Sequence, residues 1–417
     1  MVKPILLKSA AELLHRILSE KIPADRQMDS YFRAHRSMGA RDRGFVAETV
    51  YGCLRERRLL EHVAGHSFPS DLTVVYLLMH GYSARALEET GFQGDARAMA
   101  ERVRTLDRDT LPFAARTNLP DWLAERLRAQ FDEAEVLALA NALNQPAPVD
   151  LRVNTVKAKR EEVQARLAQE GFDCEPTPYS PSGLRRENRA PLFHTHCFQN
   201  GLFEIQDEGS QLLSLMLEPK RHEMIVDFCA GAGGKTLHLG ALAANTGTVY
   251  AFDVSARRLE KLKPRLKRAG LDNVRMVAIG HERDARVQRL KGKIDRVLVD
   301  APCSGTGTLR RNPDIKWRDI DLAALTDTQQ RILAAAADLL KPGGRLVYAT
   351  CSLLREENDD IVEKFLATHP EFSVVPAREI LARRHVPLEM KDEALRLYPH
   401  RHRTDAFYAI ALDRKLG

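Results

Sequence analysis

Two cysteines sit in settings that suit covalent chemistry. Cys303 lies in Asp300-Ala301-Pro302-Cys303-Ser304-Gly305-Thr306-Gly307, after the apolar run Val297-Leu298-Val299. Cys351 lies in Ala349-Thr350-Cys351-Ser352, after Leu346-Val347-Tyr348. A buried cysteine is most often a small hydrophobe. Two that each follow an apolar run and open a loop of Gly, Ser or Pro match the settings of reactive thiols better. Such a thiolate can add to carbon 6 of a cytosine, which breaks the ring's aromaticity and makes carbon 5 enamine-like, able to attack a sulfonium methyl. A base then removes the carbon 5 proton and the thiolate leaves, so that one hard step becomes several easier ones. Asp300 is placed to hydrogen-bond the amino group and ring nitrogen of the base. Its plainer reading is a cap for the turn that follows.

A second constellation is the run Ile225-Val226-Asp227-Phe228-Cys229-Ala230-Gly231-Ala232-Gly233-Gly234-Lys235-Thr236. An apolar strand enters a glycine-rich turn that opens a helix, an arrangement that lets backbone approach a ligand closely. The next strand ends at Asp253, where an acid can bind ribose hydroxyls or simply cap the helix near Ser255. A phosphate-binding loop needs four residues between its first Gly and its Gly-Lys pair, and here only Ala232 and Gly233 intervene, which argues against an ATPase. The motif alone admits a nicotinamide dehydrogenase. Asp227 and the wide turn fit an S-adenosylmethionine pocket better, with Cys229, Ala230, Gly231, Ala232, Gly233, Gly234, Lys235, Asp253 and Asp300 as cofactor-binding candidates.

These residues need a scaffold that brings distant strand ends together. Apolar runs at Met224–Phe228, Thr248–Asp253, Val274–Ile279, Arg296–Asp300 and Arg345–Ala349 alternate with amphipathic helical patterns to the end of the chain, which predicts βαβ units and a doubly wound α/β sheet. In such a sheet the ligand crevice lies at the carboxyl ends of the strands, so Cys229, Asp253, Asp300, Cys303 and Cys351 should surround one cavity. Residues 1–145 show apolar positions at helical spacing, as in Ala11–Leu18 and Phe45–Leu54, and read as an all-helical domain that binds RNA or protein. Pro146-Ala147-Pro148 marks a junction. Residues 146–220 read as a small α/β module for RNA recognition, with strands at Leu151–Thr155 and Gly201–Ile205, and 221–417 as the catalytic domain.

Composition agrees with a soluble enzyme. The 417 residues exceed one compact core, and 44% hydrophobic with 29% charged content is that of a globular protein. Six cysteines without a CxxC pair argue against a disulfide framework and against a metal site. The first residues form too short an apolar run for a signal peptide, and no segment approaches membrane-spanning length, so a cytoplasmic protein is expected. A net charge of +6 leans towards a polyanionic partner. Arg310-Arg311, directly after the Cys303 loop, is the preferred phosphate contact, ahead of Arg55–Arg58, Arg257-Arg258 and Arg401–Arg403.

At these residues the chain resembles the Nol/Nop/Sun family of RNA cytosine-5 methyltransferases. The shared pieces are 227–236, 300–307, 349–352, Arg310–Trp317 and Phe203–Gln211. The resemblance extends to the family's bacterial Sun-type (RsmB) branch, which methylates 16S ribosomal RNA and carries a helical NusB-like N-terminal domain, to which Arg41–Arg43 and Val50–Arg55 are similar. It implies a Rossmann-like class I methyltransferase domain, S-adenosylmethionine as cofactor, Cys351 as nucleophile and Cys303 in product release. A monomer acting on RNA is expected, with tRNA as the alternative substrate. An RNA-binding assembly factor that keeps the fold as scaffold, and a DNA methyltransferase that would use Cys303 as nucleophile, are the competing functions. Where the family has an aspartate after the third strand, this chain offers Asp284 or Glu282, or no equivalent. Where it often has Gly-Thr-Asp-Gly-Phe, this chain reads Arg403-Thr404-Asp405-Ala406-Phe407.

Overall fold

The computed structural model describes residues 3–20, 22–188 and 190–416. Met1, Val2, Lys21, Arg189 and Gly417 lie outside them, so the first two residues of the run read for a signal peptide are not described. The chain divides into two compact units, one of Met1–Pro146 with Thr308–Ile320, the other of Ala147–Gly307 with Asp321–Gly417.

The first unit is helical, from Pro4–Ser19 to Glu133–Leu143. Leu6, Ala10, Leu13, Leu14 and Ile17 recur at helical spacing on the first helix and are buried, as are Val46, Val50, Leu54 and Leu60 on the long helix Ala40–Ala64. The segment Thr308–Ile320, far away in sequence, completes this core. Lys316 is buried and its ammonium donates to the carbonyl oxygens of Arg55 (2.9 Å) and Asn118 (3.1 Å) and to Asn144 Oδ1. Three acceptors for three donors satisfy an otherwise costly buried group. Trp317 Nε1 donates to the Leu54 carbonyl (2.8 Å), and Asp314 Oδ2 accepts from the Ala24 N–H (3.1 Å). Arg310, expected to meet phosphate, is buried in this unit instead, and its carbonyl accepts from Arg55. That expectation took no account of the segment folding back onto a helix.

The second unit holds two sheets. Strands β1 (Val149–Val153), β2 (Glu175–Pro176), β3 (Gly183–Arg186) and β4 (Phe203–Ile205) form an antiparallel sheet in the order β2-β3-β1-β4. The larger sheet contains β5 (Met224–Asp227), β6 (Thr248–Asp253), β7 (Val274–Ala278), β8 (Ile294–Asp300), β9 (Leu340–Thr350), β10 (Phe372–Val375), β11 (Leu395–Leu397) and β12 (Phe407–Arg414). Its order is β10-β12-β9-β8-β5-β6-β7, with β11 also paired to β12. Strands β5 to β9 are mutually parallel, and β12 runs antiparallel to β9, β10 and β11. Parallel strands covered on both faces need near-continuous apolar runs, and Val297, Leu298, Val299, Leu346, Val347 and Tyr348 are accordingly buried. The chain order reverses at β5, between β8 on one side and β6 on the other, which opens a crevice at the strands' carboxyl ends. Among the described residues no helix is long and apolar enough to cross a membrane.

Candidate active site

A cavity of about 500 Å³ occupies that crevice, and Cys229, Asp253, Asp300, Cys303 and Cys351 all line it. The register explains the meeting of distant residues. Asp300 pairs with Ala349 across β8 and β9, so the loops that begin at Ala301 and Cys351 leave the sheet side by side. The backbone locks them together: the Gly307 N–H donates to the Cys351 carbonyl (2.9 Å) and the Gly307 carbonyl accepts from the Ala406 N–H (2.9 Å). A Cβ at Gly307 would lie 2.4 Å from the Ala406 oxygen and 2.8 Å from the Cys351 oxygen, so only glycine permits this approach.

Cys303 Sγ lies 3.4 Å from Cys351 Sγ. Its hydrogen bond to Cys351, reinforced by burial, pushes the Cys303 thiol well above the ordinary cysteine range. Cys303 is thus held as the protonated partner. Burial and the carboxylates of Asp227, Asp300 and Asp253 likewise push Cys229 well up, which makes it a neutral lining group rather than a nucleophile.

Residues Ala230 to Lys235 are not in the cavity lining, but Gly231 and Lys235 bond to two carboxylates that are. The Gly231 N–H donates to Asp253 Oδ2 (2.7 Å), while Asp253 Oδ1 accepts from the Ser255 N–H (2.8 Å); Asp253 is not the helix cap, since Ser255 caps the helix Ala256–Glu260 by accepting from the Arg258 N–H. Lys235 Nζ donates to Asp300 Oδ2 at 2.7 Å. Burial works against the Lys235 ammonium, but Asp300 more than offsets it and leaves its pKa above the usual value. Gly233 starts the helix Gly234–Leu242 at φ +84°, where a side chain would also collide with Leu262. From the smaller sheet Arg152 Nη1 donates to the Gly234 carbonyl (2.7 Å), and Arg265 Nη1 donates to the Ala232 carbonyl (2.6 Å). These two arginines brace the glycine loop from behind, and nothing in the local sequence around either one signals it.

Of the two acids considered after the third strand, Glu282 lines the cavity and pairs with Arg331 (2.6 Å). Asp284 does not line it. Its oxygens accept from the Gly280 N–H (2.8 Å) and from Arg286, whose guanidinium first of all holds the carboxyl well below its ordinary range. Arg258, named in the sequence only as a phosphate contact, lines the cavity, as do His281 and Thr328, which no reading of the sequence assigned to it. Arg403 occupies the left-handed region at φ +59°, where glycine would be free of strain. No group of three or more His, Cys, Asp or Glu suited to a metal ion occurs among the described residues.

Residues 214–413 match the family model described as 16S rRNA methyltransferase RsmB/F. Residues 119–192 match the ferredoxin-like domain of RsmF/B-like methyltransferases. The "Ribosomal RNA small subunit methyltransferase B" of Sodalis glossinidius is 34% identical over 366 residues, covering 80% of this chain and 83% of the relative. The "Probable ribosomal RNA small subunit methyltransferase B" of Synechocystis is 31% identical over 410 residues, covering 89% and 91%. Among solved structures, PH0851 superposes with a TM-score of 0.80 at 26% identity over 99% of each chain. With the switch-point cavity, the glycine loop and these matches in hand, the chain belongs to the RsmB/F family of S-adenosylmethionine-dependent ribosomal RNA methyltransferases.

Proposed function

We propose that the protein methylates carbon 5 of a cytosine in 16S ribosomal RNA through a covalent bond between Cys351 and carbon 6. The observation that carries this reading is the cysteine pair, 3.4 Å apart at the lining of the strand-end cavity, with Cys303 protonated and hydrogen-bonded to Cys351. Such a pair supplies one nucleophile and one proton carrier, which is what addition and later elimination require.

The cavity suits the cofactor chemically. It presents the Asp253 carboxylate for ribose hydroxyls, Glu282 and the Gly280–Glu282 turn near the third strand's tip, and beside the cysteines Asp300, held by Lys235 from outside the lining. When bound, S-adenosylmethionine supplies an electrophilic methyl group. The Cys351 thiolate adds to carbon 6, and the displaced electron pair makes carbon 5 nucleophilic. Asp300 accepts from the cytosine amino group and holds the ring over Cys351. After carbon 5 has taken the methyl group, a base passes the carbon 5 proton to solvent, and Cys303, still protonated, hydrogen-bonds the Cys351 sulfur as it departs. Elimination then expels Cys351 as thiolate and restores the pair, with one proton released per methyl transferred. A cytosine must be unstacked to reach Cys351, which favours a loop or protein-free RNA as substrate.

The test is methyl transfer from tritiated S-adenosylmethionine to protein-free small-subunit ribosomal RNA. Label should appear in 5-methylcytosine, vanish with Cys351→Ala, and give way to a trapped RNA–protein adduct with Cys303→Ala. Transfer to tRNA alone would leave the chemistry standing and remove the ribosomal substrate. Dependence on Cys303 for adduct formation would reverse the roles, and no transfer to any RNA would end the reading.

A further inference from the structure

Glu357 is fully buried and is not among the cavity-lining residues, yet its carboxylate is bonded to both cysteine loops. Oε1 accepts from the Ser304 N–H (2.8 Å) and from Gln329 Nε2 (2.9 Å). Oε2 accepts from Ser304 Oγ (2.5 Å) and from Ser352 Oγ. Ser304 directly follows Cys303, and Ser352 directly follows Cys351. Gln329, itself buried, also donates to the Pro302 carbonyl (2.9 Å), so the residues on both sides of Cys303 are tied to one anchor. The anchor is itself fixed: the Tyr348 hydroxyl donates to the Glu357 carbonyl (2.7 Å), and the next residue, Asn358, donates to the Ser352 carbonyl (3.0 Å) and accepts from Thr350 Oγ1 (2.5 Å).

A carboxylate suits this position because it accepts at about four sites and donates at none, and four donors converge on it. An amide of the same shape would turn an N–H₂ group towards donors. Both oxygens of the Glu357 carboxylate are paired, Gln329 Oε1 alone in this set of bonds being buried without a partner, and a buried network whose hub is satisfied rigidifies what it connects.

We propose that Glu357 is the positioning residue of the cysteine pair: one carboxylate, bound to Ser304 and Ser352, sets the spacing of Cys303 Sγ and Cys351 Sγ on which release of the methylated product depends. This rests on the covalent reaction proposed above. The charge also joins the Cys351 hydrogen bond and burial in keeping Cys303 protonated before the reaction.

The experiment compares wild type with Glu357→Gln, Ser304→Ala, Ser352→Ala, Cys303→Ala and the double variant Glu357→Gln/Cys303→Ala. Thermal melting and S-adenosylhomocysteine titration are measured beside rRNA methylation and adduct gels. Glu357→Gln is expected to stay folded with a melting temperature lowered by its unpaired buried donors, to bind S-adenosylhomocysteine within about twofold, and to lose about 10- to 100-fold in kcat without a rise in KM for rRNA, as supporting residues around a reacting group do. Methylated RNA–protein adduct should accumulate in it as in Cys303→Ala. The double variant should be little worse than Cys303→Ala, since residues that act as a unit are not additive. Each serine variant should show a smaller kcat loss of the same kind. Wild-type kcat with no adduct in Glu357→Gln, or losses that multiply in the double variant, would overturn the proposal. If Glu357→Gln fails to fold, the serine variants decide, and wild-type kcat in both would sink it. Failure of Cys303→Ala to trap any adduct strikes instead at the covalent reaction, and the two failures are thereby told apart.

Discussion

Asp227, at the end of β5, has Oδ2 bonded to the Thr236 hydroxyl (2.7 Å) and Oδ1 buried without a hydrogen-bond partner. Burial, with Asp300 and Asp253 nearby, pushes its carboxyl up to about 7. A carboxyl whose folded pKa is raised binds more protons folded than unfolded. Its contribution to stability is therefore full below about pH 4 and is lost as pH rises through about 7. Urea unfolding of the second unit at pH 5 and pH 7.5 should show that loss, on the order of a few kcal/mol, and Asp227→Asn should flatten it. An unchanged slope in the variant would mean that another group sets the pH response. At this scale the cysteines, Asp253 and Asp300 were legible because each ends an apolar run, and a strand tip is where a doubly wound sheet keeps its ligand groups. Glu357 was not, because Arg355-Glu356-Glu357-Asn358 reads as a charged helix start exposed to water. Its burial arises from Ser304 and Gln329, which no local pattern connects to it.

The strand-end loops are the elements on which the site depends, and Gly307 and Gly234 give them opposite tolerances. An added Cβ at Gly307 meets two backbone oxygens, whereas at Gly234 it meets nothing within 4 Å. Gly307→Ala should force the Cys351 and Ala406 segments apart, cost about 1–3 kcal/mol and reduce methylation at least tenfold. Gly234→Ala should leave the melting temperature near wild type. Equal behaviour of the two in a melting assay would refute this account of the loop packing. The five parallel strands were readable as apolar runs of the right length. The direction of β10, β11 and β12 was not, since a run such as Phe407-Tyr408-Ala409-Ile410-Ala411-Leu412 carries burial but no sign of direction. Pairing with β9 settles it as antiparallel.

At the scale of the whole molecule, the helical unit is built from two stretches of chain, Met1–Pro146 and Thr308–Ile320. Burial lowers the Lys316 pKa to about 7, and three oxygens compensate by accepting its hydrogen bonds. Lys316→Met removes these donors and strands the buried acceptors, at about 1–3 kcal/mol for each one left unpaired. Hydrogen exchange should then speed up in the helix Ala40–Ala64 and around Asn118 while β5 to β9 keep their protection. Uniform loss across the chain, or none, would contradict the assignment. Arg310-Arg311 stands out in the sequence for its charge and Arg310–Trp317 for its likeness to the family, but the attachment of this run to helices some 200 or more residues earlier could not be read from spacing. The discontinuity has a consequence for birth on the ribosome. The helices emerge first, yet the roughly 160 residues between Pro146 and Thr308 must be made before the last piece of their core arrives, about 10–30 s at ordinary synthesis rates. During that interval the nascent helical bundle presents the empty seats of Lys316 and Trp317, a window in which a chaperone can hold it and in which a premature stop leaves it unfinished.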